Sequence, residues 1–194
     1  MKWLLFILIS LVGIIFQNTV CQLLWFRTSV GWIGPDILVG IAIFSALFSR
    51  SGTDAAICGW ILGFLLDLTI TAPAPPAGLL PLLYAGATAG IFQIRNAFFK
   101  EKILTQMILA FLFCIVVYGL WLGWDVAINR MITPLDGALQ LIGVALYCAI
   151  ITPIICAVLK RFGKFLIPAD VPVSYTHLRA HETSLHLVCR LLLE

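Results

Sequence analysis

Charge is what this chain has least of. Charged residues fill only 11% of its 194 positions, against about 25% in an ordinary soluble domain. Hydrophobic residues fill 62%. A soluble protein of this size must cover its surface with polar side chains, so the composition excludes a soluble globular enzyme, a disordered tail and a disulfide scaffold. No histidine occurs before His177. The chain also lacks H-E-x-x-H, G-x-x-x-x-G-K-[ST] and G-x-S-x-G, the spacings that carry zinc hydrolysis, phosphate cradling and serine nucleophiles. No paired D-x-x-D-G run and no arginine ladder is present. Nothing in the sequence reads as catalytic, and neither a cofactor nor a metal site is expected.

The three histidines, His177, His181 and His186, all lie in the last 22 residues, Val173 to Glu194. On a helix, two histidines four apart could share a metal. The segment nevertheless differs in character from everything before it. Its blocks VSYTHLRAHET and LVCRLLLE resemble the in-frame translation of a transposase-based sequencing adapter, in the right order. Residues 173–194 are therefore read as a non-native tail and set aside, as a fusion scar would be, with the native chain expected to end near Val171. Ten lysines and arginines then face seven acidic residues, and histidine chemistry has no residues left. Of the six cysteines, Cys189 goes with the tail. Cys21, Cys58, Cys114, Cys148 and Cys156 form no C-x-x-C and read as buried thiols packing as small hydrophobes.

What remains is apolar and long. A spanning helix needs about 20 mostly apolar residues, because the hydrocarbon is roughly 30 Å thick. The expectation is an all-α membrane protein, residues 1–171 forming one polytopic domain. Its six spans run over about 3–25, 36–48, 55–71, 78–94, 103–125 and 138–159, the second being short for a full crossing. Six spans put both termini on one side. Lys2, Arg50, Arg95, Lys100, Lys102, Lys160, Arg161 and Lys164 fall there, and only Arg27 and Arg130 fall opposite. That asymmetry predicts both ends in the cytoplasm. Arg95, Lys100 and Lys102 carry that signal and could also meet anionic lipid. The tryptophans fall mostly near span ends, where an aromatic belt would sit. The first span has the charged start and apolar core of a signal peptide, but Gln17–Cys21 offers no A-x-A cleavage site, so it is expected to stay as a helix.

Several residues stand out against this background. Pro35-Asp36 is a common helix opening, because proline has no N–H to leave unsatisfied and the carboxylate meets the positive end of the dipole. Asp67 ends the third span, where the dipole opposes it. It reads either as a binding or assembly residue or as a side chain reaching the interface. With Asp125, these carboxylates sit at the outer ends of their spans. They either line an outward polar mouth or simply face water. The uncharged connection from Ala72 to Gly78 holds three prolines and is either a tight connector or a rigid docking edge. Gly59 with Gly63, and Gly86 with Gly90, form two G-x-x-x-G pairs, which let helix backbones approach within the chain or against a partner helix.

The order Pro35-Asp36-Ile-Leu-Val, Gly59-x-x-x-Gly63-Phe-Leu-Leu-Asp67-Leu, Pro76-x-Gly78-Leu and Tyr84 resembles the bacterial rod shape-determining MreD family. The specific part of the likeness covers Pro35 to Lys102, and the later spans match in hydropathy alone. Thr69-Ile70-Thr71 departs from the small Ser-Gly pair that members often carry, and the double proline at 75–76 is a second departure. The resemblance implies a non-enzymatic inner-membrane component of the cell-elongation machinery, with a helix arrangement similar to substrate-binding subunits of energy-coupling-factor vitamin transporters. It implies binding of the bitopic protein MreC and, through it, a link between MreB filaments and peptidoglycan synthases. Membrane lipid is the other expected partner, and nucleic acid is not one. Candidate assembly residues are Pro35, Asp36, Gly59, Gly63, Asp67, Gly78, Tyr84, Gly86 and Gly90. A vitamin-transporter substrate-binding subunit, with its ligand at the outer mouth, is the alternative.

Overall fold

A computed structural model of the chain describes residues 3–28, 31–70, 78–95, 102–128 and 134–166. The 173–194 tail and the proline-rich connection over 72–77 lie outside these residues. Six α-helices dominate: α1 (Trp3–Thr19), α2 (Ile37–Phe48), α3 (Gly52–Asp67), α4 (Leu79–Ile94), α5 (Ile103–Ile128) and α6 (Pro134–Leu166). They correspond one to one with the six apolar segments of the sequence. Between α1 and α2 the chain makes a single 3-10 turn (Cys21–Leu24) and a hairpin of two short antiparallel strands, β1 (Phe26–Thr28) and β2 (Gly31–Ile33), in which Arg27 faces Trp32.

That hairpin corrects the expected first span. The segment over 3–25 is not one helix, because α1 stops at Thr19 and the chain folds back through the buried Cys21. At the end of α1 the Thr19 hydroxyl donates to the Ile15 carbonyl (2.7 Å). The hairpin then leans on α6. Phe26 packs edge-on to Tyr147 with ring centres 6.2 Å apart, and the Tyr147 hydroxyl donates to the Leu24 carbonyl (3.4 Å).

The short second helix is the centre of the molecule. Every residue of α2 from Leu38 to Leu47 is buried, and α2 touches each of the other five helices. A helix that is apolar all round must be covered all round. Here protein provides the cover, so twelve residues suffice. Around it, α3 and α4 form one tight antiparallel pair and α5 and α6 another. Leu38, Ile43, Leu47, Leu62, Leu80, Tyr84, Leu109, Phe113 and Val117 form the most deeply buried part of the core.

The outer helices are apolar on their outward faces too. On α5, Leu104, Ile108, Leu112, Val116 and Leu120 are exposed at strict four-residue spacing. On α6, Leu139, Leu146, Ile150, Ile154 and Val158 form a similar stripe. Among the described residues two helices are long and apolar enough to cross a membrane, Ile103–Ala127 and Leu135–Arg161. They bury only 39% and 28% of their apolar windows inside the protein. The other apolar helices, α1, α2 and α4, have 17, 12 and 16 residues, shorter than a straight crossing requires.

Candidate functional site

The motif-bearing stretch builds a polar knot inside this apolar bundle. Asp36 is the N-cap of α2, its Oδ1 accepting from the Leu38 N–H at 2.9 Å. Capping therefore accounts for one carboxylate oxygen. The other oxygen accepts from two phenols, the Tyr84 hydroxyl of α4 (3.1 Å) and the Tyr118 hydroxyl of α5. The two phenol oxygens are themselves 3.0 Å apart. Asp36 is only 7% exposed and Tyr84 is wholly buried. Gln17 of α1 completes the junction. Its Nε2 donates to the Pro35 carbonyl (2.9 Å) and its Oε1 accepts from the Ile37 N–H (2.8 Å). Four helices thus meet on the Pro35–Ile37 turn.

Sequence reasoning singled out Pro35, Asp36 and Tyr84 but missed Gln17 and Tyr118. A signal was present, since both are hydrogen-bonding side chains inside apolar helices, where an unpaired polar group is costly. What the sequence could not supply was the pairing across 18 to 82 positions.

Gly59 and Gly63 are consumed by contacts within the chain. A Cβ at Gly59 would strike the Thr88 hydroxyl and lie 2.6 Å from the Tyr84 carbonyl oxygen. One at Gly63 would lie 2.7 Å from both the Leu80 carbonyl and the Pro81 Cα. These are backbone atoms, so only glycine lets α3 and α4 approach so closely. Gly86 and Gly90 differ. Nothing lies within 4 Å of a Cβ built at either, and both are exposed on the outer side of α4.

Asp67 ends α3 and reaches forward across the connection, its Oδ2 accepting from the Gly78 N–H at 2.7 Å. Gly78 adopts a left-handed φ of +100° as the N-cap of α4, a conformation glycine takes freely. The carboxylate that opposes the dipole of α3 thereby lies at the favourable end of α4. Asp36 and the half-buried Asp67 serve separate internal contacts, and Asp125 is a second buried carboxylate, near the end of α5. A cavity of about 360 Å³ opens between α1 and α3, lined by Ile14, Ile15, Asn18, Thr19, Leu65, Leu68 and Thr69. None of the three carboxylates borders it.

Arg95 also turns inward. Its Nη1 donates to the carbonyls of Ala46 (3.4 Å), Leu47 (3.2 Å) and Ser49 (2.6 Å). The guanidinium carbon stands 3.8 Å above the Phe92 ring. A cation at the carbonyl end of α2 is electrostatically favoured, so this arginine closes the central helix. The five cysteines within the described residues are buried and form no disulfide, and no group of three His, Cys, Asp or Glu side chains there could hold a metal.

No protein-family model, no curated protein and no solved structure matches this chain.

Proposed function

We propose that this chain is a non-enzymatic, multi-pass component of the bacterial inner membrane that assembles with other proteins of the cell-shape and elongation machinery. The MreD-like order of residues between Pro35 and Lys102 motivates the reading. Within it, the chain crosses the membrane six times with both ends in the cytoplasm. It binds an MreC-like bitopic protein, and reaches MreB and the peptidoglycan synthases through that partner.

The observation that carries the reading is the division of labour within the motif stretch. Asp36, Tyr84, Gly59, Gly63, Asp67 and Gly78 are spent on holding α2, α3 and α4 together. Gly86 and Gly90 are left open on the outside of the same hairpin. A rigid hairpin with one small-residue face turned outward suits helix-on-helix assembly in lipid, where close packing replaces the hydrophobic drive. The apolar stripes on α5 and α6 support a hydrocarbon setting, because soluble monomers rarely expose contiguous apolar surface beyond a few hundred Å². The alternative, a vitamin-transporter substrate subunit, gains no support from the separated carboxylates.

The test is affinity purification of this chain from crosslinked native-host membranes, with mass spectrometry of what it brings along. MreC together with elongation synthases is the expected recovery. A paired ATPase and a coupling membrane subunit would overturn the reading in favour of transport.

A further inference from the structure

We infer that Asp36 is a proton-binding site: its carboxyl carries a proton that closes a ring of hydrogen bonds with Tyr84 and Tyr118 at the junction of α2, α4 and α5. Asp36 Oδ2, Tyr84 Oη and Tyr118 Oη stand in mutual contact, at 3.1 Å for Asp36–Tyr84 and 3.0 Å for Tyr84–Tyr118, with a hydrogen bond from Tyr118 to Asp36 closing the triangle. Three oxygen–oxygen contacts need three hydrogens. Each phenol has one hydrogen to give, and an ionised carboxylate has none. Two hydrogens leave one edge of the triangle with oxygens facing each other and nothing between them. A proton on Oδ2 supplies the third, so that the carboxyl donates to one phenol, that phenol to the other, and the second phenol back to Oδ2. Oδ1 is unaffected, since the Leu38 N–H already occupies it.

The surroundings point the same way. No basic side chain stands among the groups that act on this carboxyl within the described residues. The other titratable groups in its field are thiols, Cys21 in the 3-10 turn and Cys114 on α5. None of these brings positive charge. A carboxylate 7% exposed without a cation has only the N–H groups at the start of α2 and the two phenols to replace the water it has lost, and a neutral carboxyl needs less. The inference does not depend on the assembly reading of the chain. It assigns Asp36 to the inside of the fold, as the keeper of an exchangeable proton that joins three helices, and removes it from the partner-facing surface.

Infrared spectroscopy of the purified full chain at neutral pH, with aspartate isotope-labelled in the side-chain carboxyl, tests this directly. The expected result is a protonated-carboxyl carbonyl band that shifts with the label and is lost in Asp36→Asn. Should Asp36→Asn fail to fold, Tyr118→Phe and Tyr84→Phe read the same site, because each removes one member of the ring and should shift the band. Carboxylate bands alone in the labelled wild type would overturn the inference, and would mean that an ionised Asp36 shares the Tyr84 hydrogen between two acceptors. A protonated band that neither tyrosine variant moves would overturn it as well.

Discussion

Asp36 has two neighbours in sequence that predict a cap and two in space that predict a knot, and the second pair decides how much it matters. Removing a helix cap alone costs about 1 kcal/mol. Asp36→Ala would in addition leave the Tyr84 and Tyr118 hydroxyls with only each other, so one buried hydroxyl hydrogen goes unpaired at a cost of roughly 1–3 kcal/mol. We expect a loss of about 2–4 kcal/mol, beyond a cap alone, read as a lowered unfolding midpoint in detergent. Tyr118→Phe, which keeps the aromatic ring and the Tyr84–Asp36 bond, should cost less, about 1–2 kcal/mol. Asp67 sits at the other extreme. Its contact with the Gly78 N–H survives in Asp67→Asn through the amide oxygen, so only the charge at the start of α4 is lost, about 0.3–1 kcal/mol. Asp67→Ala removes the acceptor too and should destabilise more. If the two Asp67 variants melt alike, the carboxylate is not the link across the connection.

At the scale of elements, the two glycine pairs make the sharpest contrast in the molecule. They are the same motif in sequence, yet one is filled by α4 backbone and the other faces outward. Gly59→Ala pushes a methyl against the Tyr84 carbonyl and cannot be relieved by a side-chain rotation, so α3 and α4 must separate. Overpacking of this kind costs about 1–3 kcal/mol, and a larger residue costs more. Gly86→Ala meets nothing and should leave the melt unchanged or slightly raised, since alanine is the better helix former. Gly86→Leu should likewise fold, and on the assembly reading it should lower recovery of the crosslinked partner. Undiminished recovery from Gly86→Leu together with Gly90→Leu would remove α4 from the proposed interface. The six helices were legible because apolar run length is written locally, and so were the starts at Asp36 and Gly78. The glycine pairs were not separable by sequence, because periodicity gives a face and not what lies against it. For the same reason Gln17 and Tyr118 went unseen, and α1 was read too long, because the polar Gln17-Asn18-Thr19 before the turn is followed by further apolar residues up to Trp25.

For the whole molecule, the arrangement around α2 sets what a membrane would have to accommodate. A twelve-residue helix is about 18 Å long at 1.5 Å per residue, well short of the hydrocarbon, yet it lies wrapped by five others and need not meet lipid. On the six-span reading the burden of crossing would fall on the outer helices, whose exposed faces are apolar along α1, α5 and α6. On that reading the loop charges set the direction. Arg27 lies in the β1–β2 hairpin and Arg161 near the end of α6, on opposite sides if both termini are cytoplasmic. The native cysteines within the described residues are all buried, so a new surface thiol can be read over a low background. We expect Arg27→Cys, expressed in intact cells, to react with a membrane-impermeant maleimide added outside, and Arg161→Cys to react only after the membrane is opened. The reverse pattern would invert the topology while keeping six crossings. Reaction of both from outside would mean an odd number of crossings between the hairpin and the end of α6 has been miscounted, and it would end the six-span reading itself.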